Sequence, residues 1–444
     1  MLTTTLPVTQ DAPQWSVAKR FGFGLAFTYL VLYHLEAFLG LLIPVFRITG
    51  SPGNLGPRAM YRLPWDRLAA WIGIHVFSVD PALLVSVNGS IDSAIHYART
   101  GCFLLAAIIT AILWTIADRR REYVGLNQWL TDFLRFALAI DLFFYGVNKV
   151  IPVQMLPGHL FTTDLIQPFG EKSPAGLLWA FVGYSVPYQM LSGAVELLGA
   201  LLLLTRRTVA LGALVCLVAT VNVVLLNFCY DVDLKLYTSN LLAAAIFLAW
   251  PVLSTVVRLF VFRQPVTPPP LTRSSRTGWA WTTARIAFAV FLAVDAYQTV
   301  AGAYAELTFQ AGLPTATPLY GIYEVETFRR NGQEIPPLTT DRRRWRRVVM
   351  EAPQVVRVQL MDDSFERYRV AYNQAAMQLT VFTSGAKSDP GNVFSWSAPD
   401  ADHVELNGHV EGDTVVLSLR RIDRSKFLLM DRGFHWMQRE SLIE

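Results

Sequence analysis

Charged and amide side chains sit inside stretches of this chain that are otherwise apolar enough to cross a bilayer. No other feature constrains the fold as much. Arg135, Asp141, Asn148 and Lys149 lie in one such stretch, Glu196 in the next, and Asn222 and Asn227 in a third. An ionised side chain at the centre of the hydrocarbon costs about 2.5–3.5 kcal/mol on insertion scales, so such groups persist only where they find partners or water. The pattern implies an integral membrane protein with a polar site in its helical bundle. Composition agrees, since 53% of the 444 residues are hydrophobic and only 16% are charged, against about 25% in soluble domains.

A helix of about 20 residues crosses the hydrocarbon core. Segments 21–46, 101–117, 130–151, 189–205, 208–229, 237–260 and 279–304 meet that length or approach it, and Trp179–Pro187 can extend the fourth. Lys19 and Arg20, Arg119–Arg121, Arg206 and Arg207, and Arg258, Arg263, Arg273 and Arg276 all fall on one side of these segments. The positive-inside rule makes that side cytoplasmic. The expected protein is multi-pass in the cell (inner) membrane, with its N-terminus inside and its C-terminal domain extracytoplasmic. The first apolar run is too long for the core of a cleaved signal and reads as a retained helix. The net charge of +4 resides in these topology signals and is not a nucleic-acid footprint.

Two long external connections are expected. Residues 47–100 hold the turn Ser51–Asn54 and an amphipathic helix around Trp65–Phe77, and residues 152–188 are rich in proline. The run Pro268–Pro270 marks a cytoplasmic linker, residues 261–278, ahead of the last helix and its connector, residues 279–313. Cys102, Cys216 and Cys229 read as small buried hydrophobes, with pairing of Cys102 and Cys229 as the alternative.

Beyond residue 313 the apolar period changes from helical to two. Candidate strands are Tyr320–Arg329, Arg346–Met350, Val355–Met361, Glu366–Tyr372, Met377–Thr383, Val393–Trp396, His403–Leu406, Thr414–Arg421, Phe427–Met430 and Phe434–Gln438. Asn331-Gly332, Asp389-Pro390-Gly391, Asn407-Gly408 and Glu411-Gly412-Asp413 supply hairpin turns. Closely spaced strands of this kind favour a small lipocalin-like, up-and-down antiparallel barrel over residues 314–444, because closure removes exposed edges. Val370, Tyr372, Leu379, Val381, Val415, Leu417 and Leu419 should face its interior, and the cluster Arg342–Arg347 should be a solvated basic surface.

Asp141, Tyr145, Asn148 and Lys149 share one helical face, and Glu196, Asn222, Asn227 and Asp231 lie at compatible depths near the outer leaflet. Two readings stand. In one, Lys149 and Glu196 pair and the asparagines tie helices together. In the other, these groups line a pocket open to the outside that takes a polar headgroup, a quinone or a small anion. His34 reads as a satisfied core histidine, Glu36 has no identifiable partner, and Arg135 snorkels to the cytoplasmic side. No nucleotide-binding, metal-binding or nucleophile motif is present, so no cofactor is evident beyond a quinone.

The run Arg135-Phe136-Ala137-Leu138 through Tyr145-Gly146-Val147-Asn148-Lys149, followed by Gly193-Ala194-Val195-Glu196-Leu197-Leu198-Gly199-Ala200, resembles the opening helices of the DoxX-like membrane family. The resemblance covers about residues 130–255. It implies a four-helix membrane core over 130–260, preceded by the spanning helix and loop region 1–129, with Lys149 and Glu196 at recurring polar positions. Some relatives in that family are membrane subunits of thiosulfate:quinone oxidoreductase. A fainter similarity in the order of parts, without a shared residue motif, is to vitamin K-dependent carboxylase-like proteins. The expected function is that of an accessory protein that binds a ligand, or a membrane or periplasmic protein partner. The alternative is a subunit of a quinone-linked oxidoreductase.

Overall fold

The structure, a computed structural model, describes residues 15–42, 56–84, 90, 92–118, 122–155, 162–266, 279–382, 391–410 and 412–431. It divides into two units, Met1–Val150 with Leu191–Val300, and Ile151–Met190 with Ala301–Glu444. The turn at Ser51–Asn54, the arginines at 119–121, 273 and 276, the run Pro268–Pro270, the turn residues Asp389-Pro390 and Glu411, and the candidate strand Phe434–Gln438 lie outside the described residues.

The helices are α1 (Val17–Gly40), α2 (Pro57–His75), α3 (Ala94–Ala117), α4 (Val124–Val150), α5 (Pro174–Tyr184), α6 (Val186–Leu203), α7 (Val209–Cys229), α8 (Lys235–Phe260) and α9 (Trp279–Ala316). Among the described residues there are six candidate membrane spans: α1, α3, α6, α7, α8 and the Arg285–Ala316 part of α9. The 27-residue α4 is long enough as well, but it carries Asp132, Arg135, Asp141 and Lys149. Two expectations change. The helix expected at Trp65–Phe77 begins at Pro57, because proline at the first helical position has its backbone preset. The stretch Trp179–Pro187 does not extend the fourth span continuously. Ser173 caps a separate helix α5, and the chain breaks at Ser185 (φ −109°, ψ 95°) because Pro187 cannot join an unbroken ladder.

In the first unit α1 packs along α3 and α4, α2 along α3, and α8 along α7 and α4. The core is unusually rich in small residues, with Ala200 of α6, Ala213 and Cys216 of α7, and Ala244, Ala245 and Ala249 of α8 packed around Leu130, Leu134 and Leu138 of α4. Small side chains let helix backbones approach closely where lipid offers no hydrophobic drive for association. All three cysteines are free, Cys102 and Cys216 buried and Cys229 exposed, so the alternative of a Cys102–Cys229 pair is not realised.

The second unit is a closed antiparallel β-barrel. Its strands are β1 (Gly321–Arg330), β2 (Gln333–Glu334), β3 (Trp345–Ala352), β4 (Val355–Leu360), β5 (Phe365–Asn373), β6 (Gln378–Phe382), β7 (Asn392–Ser397), β8 (His403–Val410) and β9 (Asp413–Ile422). β1 pairs with both β3 and β9, closing an eight-strand wall to which β2 adds two paired residues at the end of β1. Val370, Leu379, Val381, Val415, Leu417 and Leu419 are buried inside, as the alternation requires, and Tyr372 packs against them. Trp345, Tyr368 and Phe394 fill the lumen, leaving a cavity of about 10 Å³, roughly the space of one water.

Three expectations for this unit are corrected. Phe427–Met430 forms no strand, since β9 already closes on β1 and leaves no edge to extend. The chain instead turns at Arg424–Lys426, where Asp423 accepts from the Ser425 amide, and enters the short helix α10 (Leu428–Asp431). Asn407-Gly408 is not a turn but lies within β8, opposite Phe394 on one side and Val415 on the other. A Cβ at 408 would lie 2.6 Å from the Phe394 ring, so this glycine makes room for an aromatic, and the reversal uses Gly412 at φ +89°. Within the basic cluster, Arg344 is only 3% exposed. Its guanidinium donates to the carbonyls of Ile335, Trp345, Val325 and Glu326 where β1 and β3 part beyond the Glu324–Arg347 pair, and burial lowers its pKa.

The connection between α4 and α6 belongs to this unit. Thr162 N–H donates to Glu351 (3.1 Å), Arg357 donates to Thr163 Oγ1 (2.8 Å), and Gln359 donates to the Ile166 carbonyl (3.4 Å). Ile166 packs with Ile322 and Val349 on the outside of β1 and β3.

Gly408→Val should destabilise the barrel by about 1–3 kcal/mol through overpacking against Phe394, read as a lower midpoint in thermal unfolding. Arg344→Leu should cost about 2–4 kcal/mol by orphaning buried carbonyls, whereas Arg342→Ala and Arg343→Ala, at exposed positions, should stay within about 0.5 kcal/mol of the parent.

Candidate functional site

Gly146 and Lys149 stand one turn apart on α4, as do Gly193 and Glu196 on α6. The two glycines mark a close crossing. A Cβ on Gly146 would lie 2.8 Å from the Leu197 amide nitrogen, and one on Gly193 would lie 2.7 Å from the Gly146 carbonyl. Only glycine at both positions permits this approach, and it delivers the Lys149 ammonium onto Glu196 Oε1. Lys149 is 7% exposed and Glu196 2%, and Glu196 Oε2 has no hydrogen-bond partner among the described residues.

The face that α4 was expected to present as a single site divides in two. About two turns deeper than Lys149, Asp141 faces Tyr237 of α8 rather than Glu196, and Tyr237 in turn lies beside Tyr145. The Tyr145 and Tyr237 rings lie 6.0 Å apart. Arg58 of α2, Glu36 of α1 and Asp295 of α9 are within electrostatic reach of Asp141. Close by, the Tyr29 hydroxyl donates to Asn240 Oδ1 (2.6 Å), and His34 Nε2 lies 3.2 Å from the Asn240 carbonyl. This arrangement holds one carboxylate against two phenols, a setting in which a proton can pass along a hydroxyl ladder to a bound acceptor.

The remaining expected residues lie elsewhere. Asn148 donates back to the Phe144 carbonyl of its own helix (2.8 Å). Asn222 lies on the exposed face of α7. Asn227 is buried and donates to Thr238 Oγ1 (3.1 Å), a tie between α7 and α8. Asp231, whose side chain is 78% exposed, bonds Lys235 (2.6 Å) at the α7–α8 turn, where its φ is +51°.

Glu36 and Arg135 also differ from expectation. Glu36 has a partner in Arg62 of α2 (Nε to Oε2, 2.8 Å). Arg135 does not reach toward water. It is buried against Asp132 (3.3 Å), which also binds Arg206 (3.1 Å). Sequence reasoning finds neither Tyr237 nor Asp295 nor the pair Arg99–Asp66 (2.8 Å). The signal at Asp141, a charge in an apolar helix, is equally present at Asp295. Tyr237 carries no such signal, because tyrosine is common near membrane interfaces.

If the Lys149–Glu196 pair is structural, removing one partner strands a buried charge, whereas replacing both restores neutrality. Lys149→Met and Glu196→Leu should each lower stability by about 3–5 kcal/mol, and the double variant should recover most of that loss. Unfolding of the detergent-solubilised protein measures this cycle.

No family model matches the chain, and no solved structure matches it. The uncharacterized protein YwoB of Bacillus subtilis (strain 168) is 35% identical over 125 residues, which cover 26% of this chain and 72% of YwoB. Over that stretch the chain belongs to the same family as YwoB.

Proposed function

We propose that this protein is a DoxX-like accessory protein of the cell membrane, whose bundle anchors a rigid extracytoplasmic β-barrel for docking to a membrane or periplasmic partner. The observation that carries this reading is the filled lumen. With about 10 Å³ free inside, the barrel has no room for a lipid-like ligand and acts through its outer surface.

Topology supports the placement. Asp92, just before α3, accepts from the Lys235 and Leu236 amides at the start of α8 (2.7 and 3.0 Å). These ends lie on one side of the membrane only if the helices between them, α3, α4, α6 and α7, are even in number. That requires α4 to cross despite its charges, making a seventh span. The docking of residues 162–166 on β3 and β4 obeys the same parity, because α6, α7, α8 and α9 separate them. With Lys19, Arg20, Arg206 and Arg207 inside, the barrel lies outside.

A second reading, a quinone-linked oxidoreductase subunit, is favoured by one observation. Asp141, Tyr237 and Tyr145 stand together inside the bundle, a carboxylate beside two phenols of the kind that handles protons at a quinone site. Extraction and mass spectrometry of small molecules retained by the purified protein, beside Asp141→Asn and Tyr237→Phe, decide between the two. The accessory reading expects no stoichiometric quinone in any sample. A quinone held by the parent and lost from both folded variants overturns it in favour of the oxidoreductase subunit.

A further inference from the structure

The helix α2 is inside-out. Arg58, Tyr61, Arg62, Trp65 and Asp66 turn toward α1 and α3. Arg62 binds Glu36, Arg58 Nε donates to the Glu36 carbonyl (3.1 Å), the Tyr61 hydroxyl donates to the Leu32 carbonyl (2.7 Å), and Asp66 accepts from Arg99 (2.8 Å). Trp65 packs edge-on against the buried Phe103 of α3, with centroids 4.9 Å apart. The opposite face presents Met60, Leu63, Leu68 and Trp71, each 40–56% exposed, with Pro64 also exposed between them. A helix in an aqueous loop would carry the reverse arrangement, apolar side in and charges out.

The partners of α2 fix its depth. Glu36 and Leu32 lie four and eight residues before the end of α1, about 6 and 12 Å along the helix. Arg99 and Phe103 lie five and nine residues into α3, about 8 and 13 Å from its start. Both α1 and α3 are candidate spans, so these contacts hold α2 well below the ends of its neighbours. Its outward side chains continue the outward apolar surface of α3, where Leu104, Leu105 and Ile109 are 45–50% exposed.

We propose that α2 is embedded in the outer leaflet, with Met60, Leu63, Pro64, Leu68 and Trp71 in contact with lipid acyl chains. The external connection between the first two spans therefore dips into the membrane and carries Arg58, Arg62 and Asp66 to the polar groups of the bundle. Arg67, on the outward face, extends its stem along the hydrocarbon and its charge to the headgroups. His75, at the C-terminal end, stacks on Trp71 at 5.1 Å and contacts the Trp71 carbonyl (2.9 Å).

The test uses the full chain with Cys102, Cys216 and Cys229 replaced by alanine, reconstituted in phosphatidylcholine vesicles. Spin labels are placed singly through Met60→Cys, Leu63→Cys, Leu68→Cys and Trp71→Cys. Leu113→Cys on α3 is the lipid reference and Val393→Cys on the barrel the aqueous one, both at exposed positions. Collision rates with oxygen and with a water-soluble nickel chelate are measured by power saturation. The proposal expects the α2 sites to match Leu113→Cys, with oxygen dominant. Nickel dominance at the level of Val393→Cys overturns it. So does low access to both reagents with dipolar broadening, which would mean that a second copy covers the face.

Discussion

A charge that reaches the hydrocarbon must meet its opposite there, and most of the first unit follows from that requirement. Lys149 meets Glu196, Arg62 meets Glu36, Arg99 meets Asp66, and Arg135 meets Asp132. Three of these pairs join different helices, so each one fixes a crossing. Geometry is subordinate to the pairing. The Gly146 and Gly193 backbones approach closely enough for an ammonium and a carboxylate one turn further along to touch. Larger side chains at either glycine would hold the helices apart and leave both charges exposed to lipid.

The barrel answers the same demand by other means. Its backbone groups are satisfied by closure of β1 on β9, and no edge strand remains in the eight-strand wall. Where β1 and β3 part, the buried Arg344 guanidinium collects the carbonyls of Ile335, Val325 and Glu326. Large rings fill the inside, and a glycine at 408 admits one of them. The outcome is a body filled with side chains, with the outer face of β3 and β4 taken up by the α4–α6 connection.

What the sequence made legible divides along physical lines. Period-two burial located the strands, because each side chain's face is set by parity alone. Hydropathy located the apolar helices but not their ends, which differ by up to 12 residues, as where the helix expected at 279–304 runs to Ala316. It did not tell which face of α2 turns inward, because amphipathicity has a direction only once the solvent on each side is known. Asn407-Gly408 reads as a turn by dipeptide preference, but the requirement at 408 is space for Phe394, a partner remote in sequence. Asp141 and Lys149 share a helical face, yet the rise between them sends one to α8 and the other to α6. The partner of Glu36 could not be read because Arg62 reaches it through the fold of α2.

These pairings also bear on the membrane crossing proposed for so polar a helix as α4. Its Asp141 and Lys149 would each cost a few kcal/mol in lipid if α4 inserted alone. Each cost falls only when another helix is already beside it, Glu196 from α6 for the lysine and Tyr237 from α8 for the aspartate. Both partners come later in the chain than α4. On that proposal its stable residence depends on helices that have yet to be made when it emerges, and insertion of the first unit is expected to be cooperative across α4, α6 and α8. The glycine pair at the α4–α6 crossing makes the first of these rescues available as soon as α6 arrives, one connection after α4 itself.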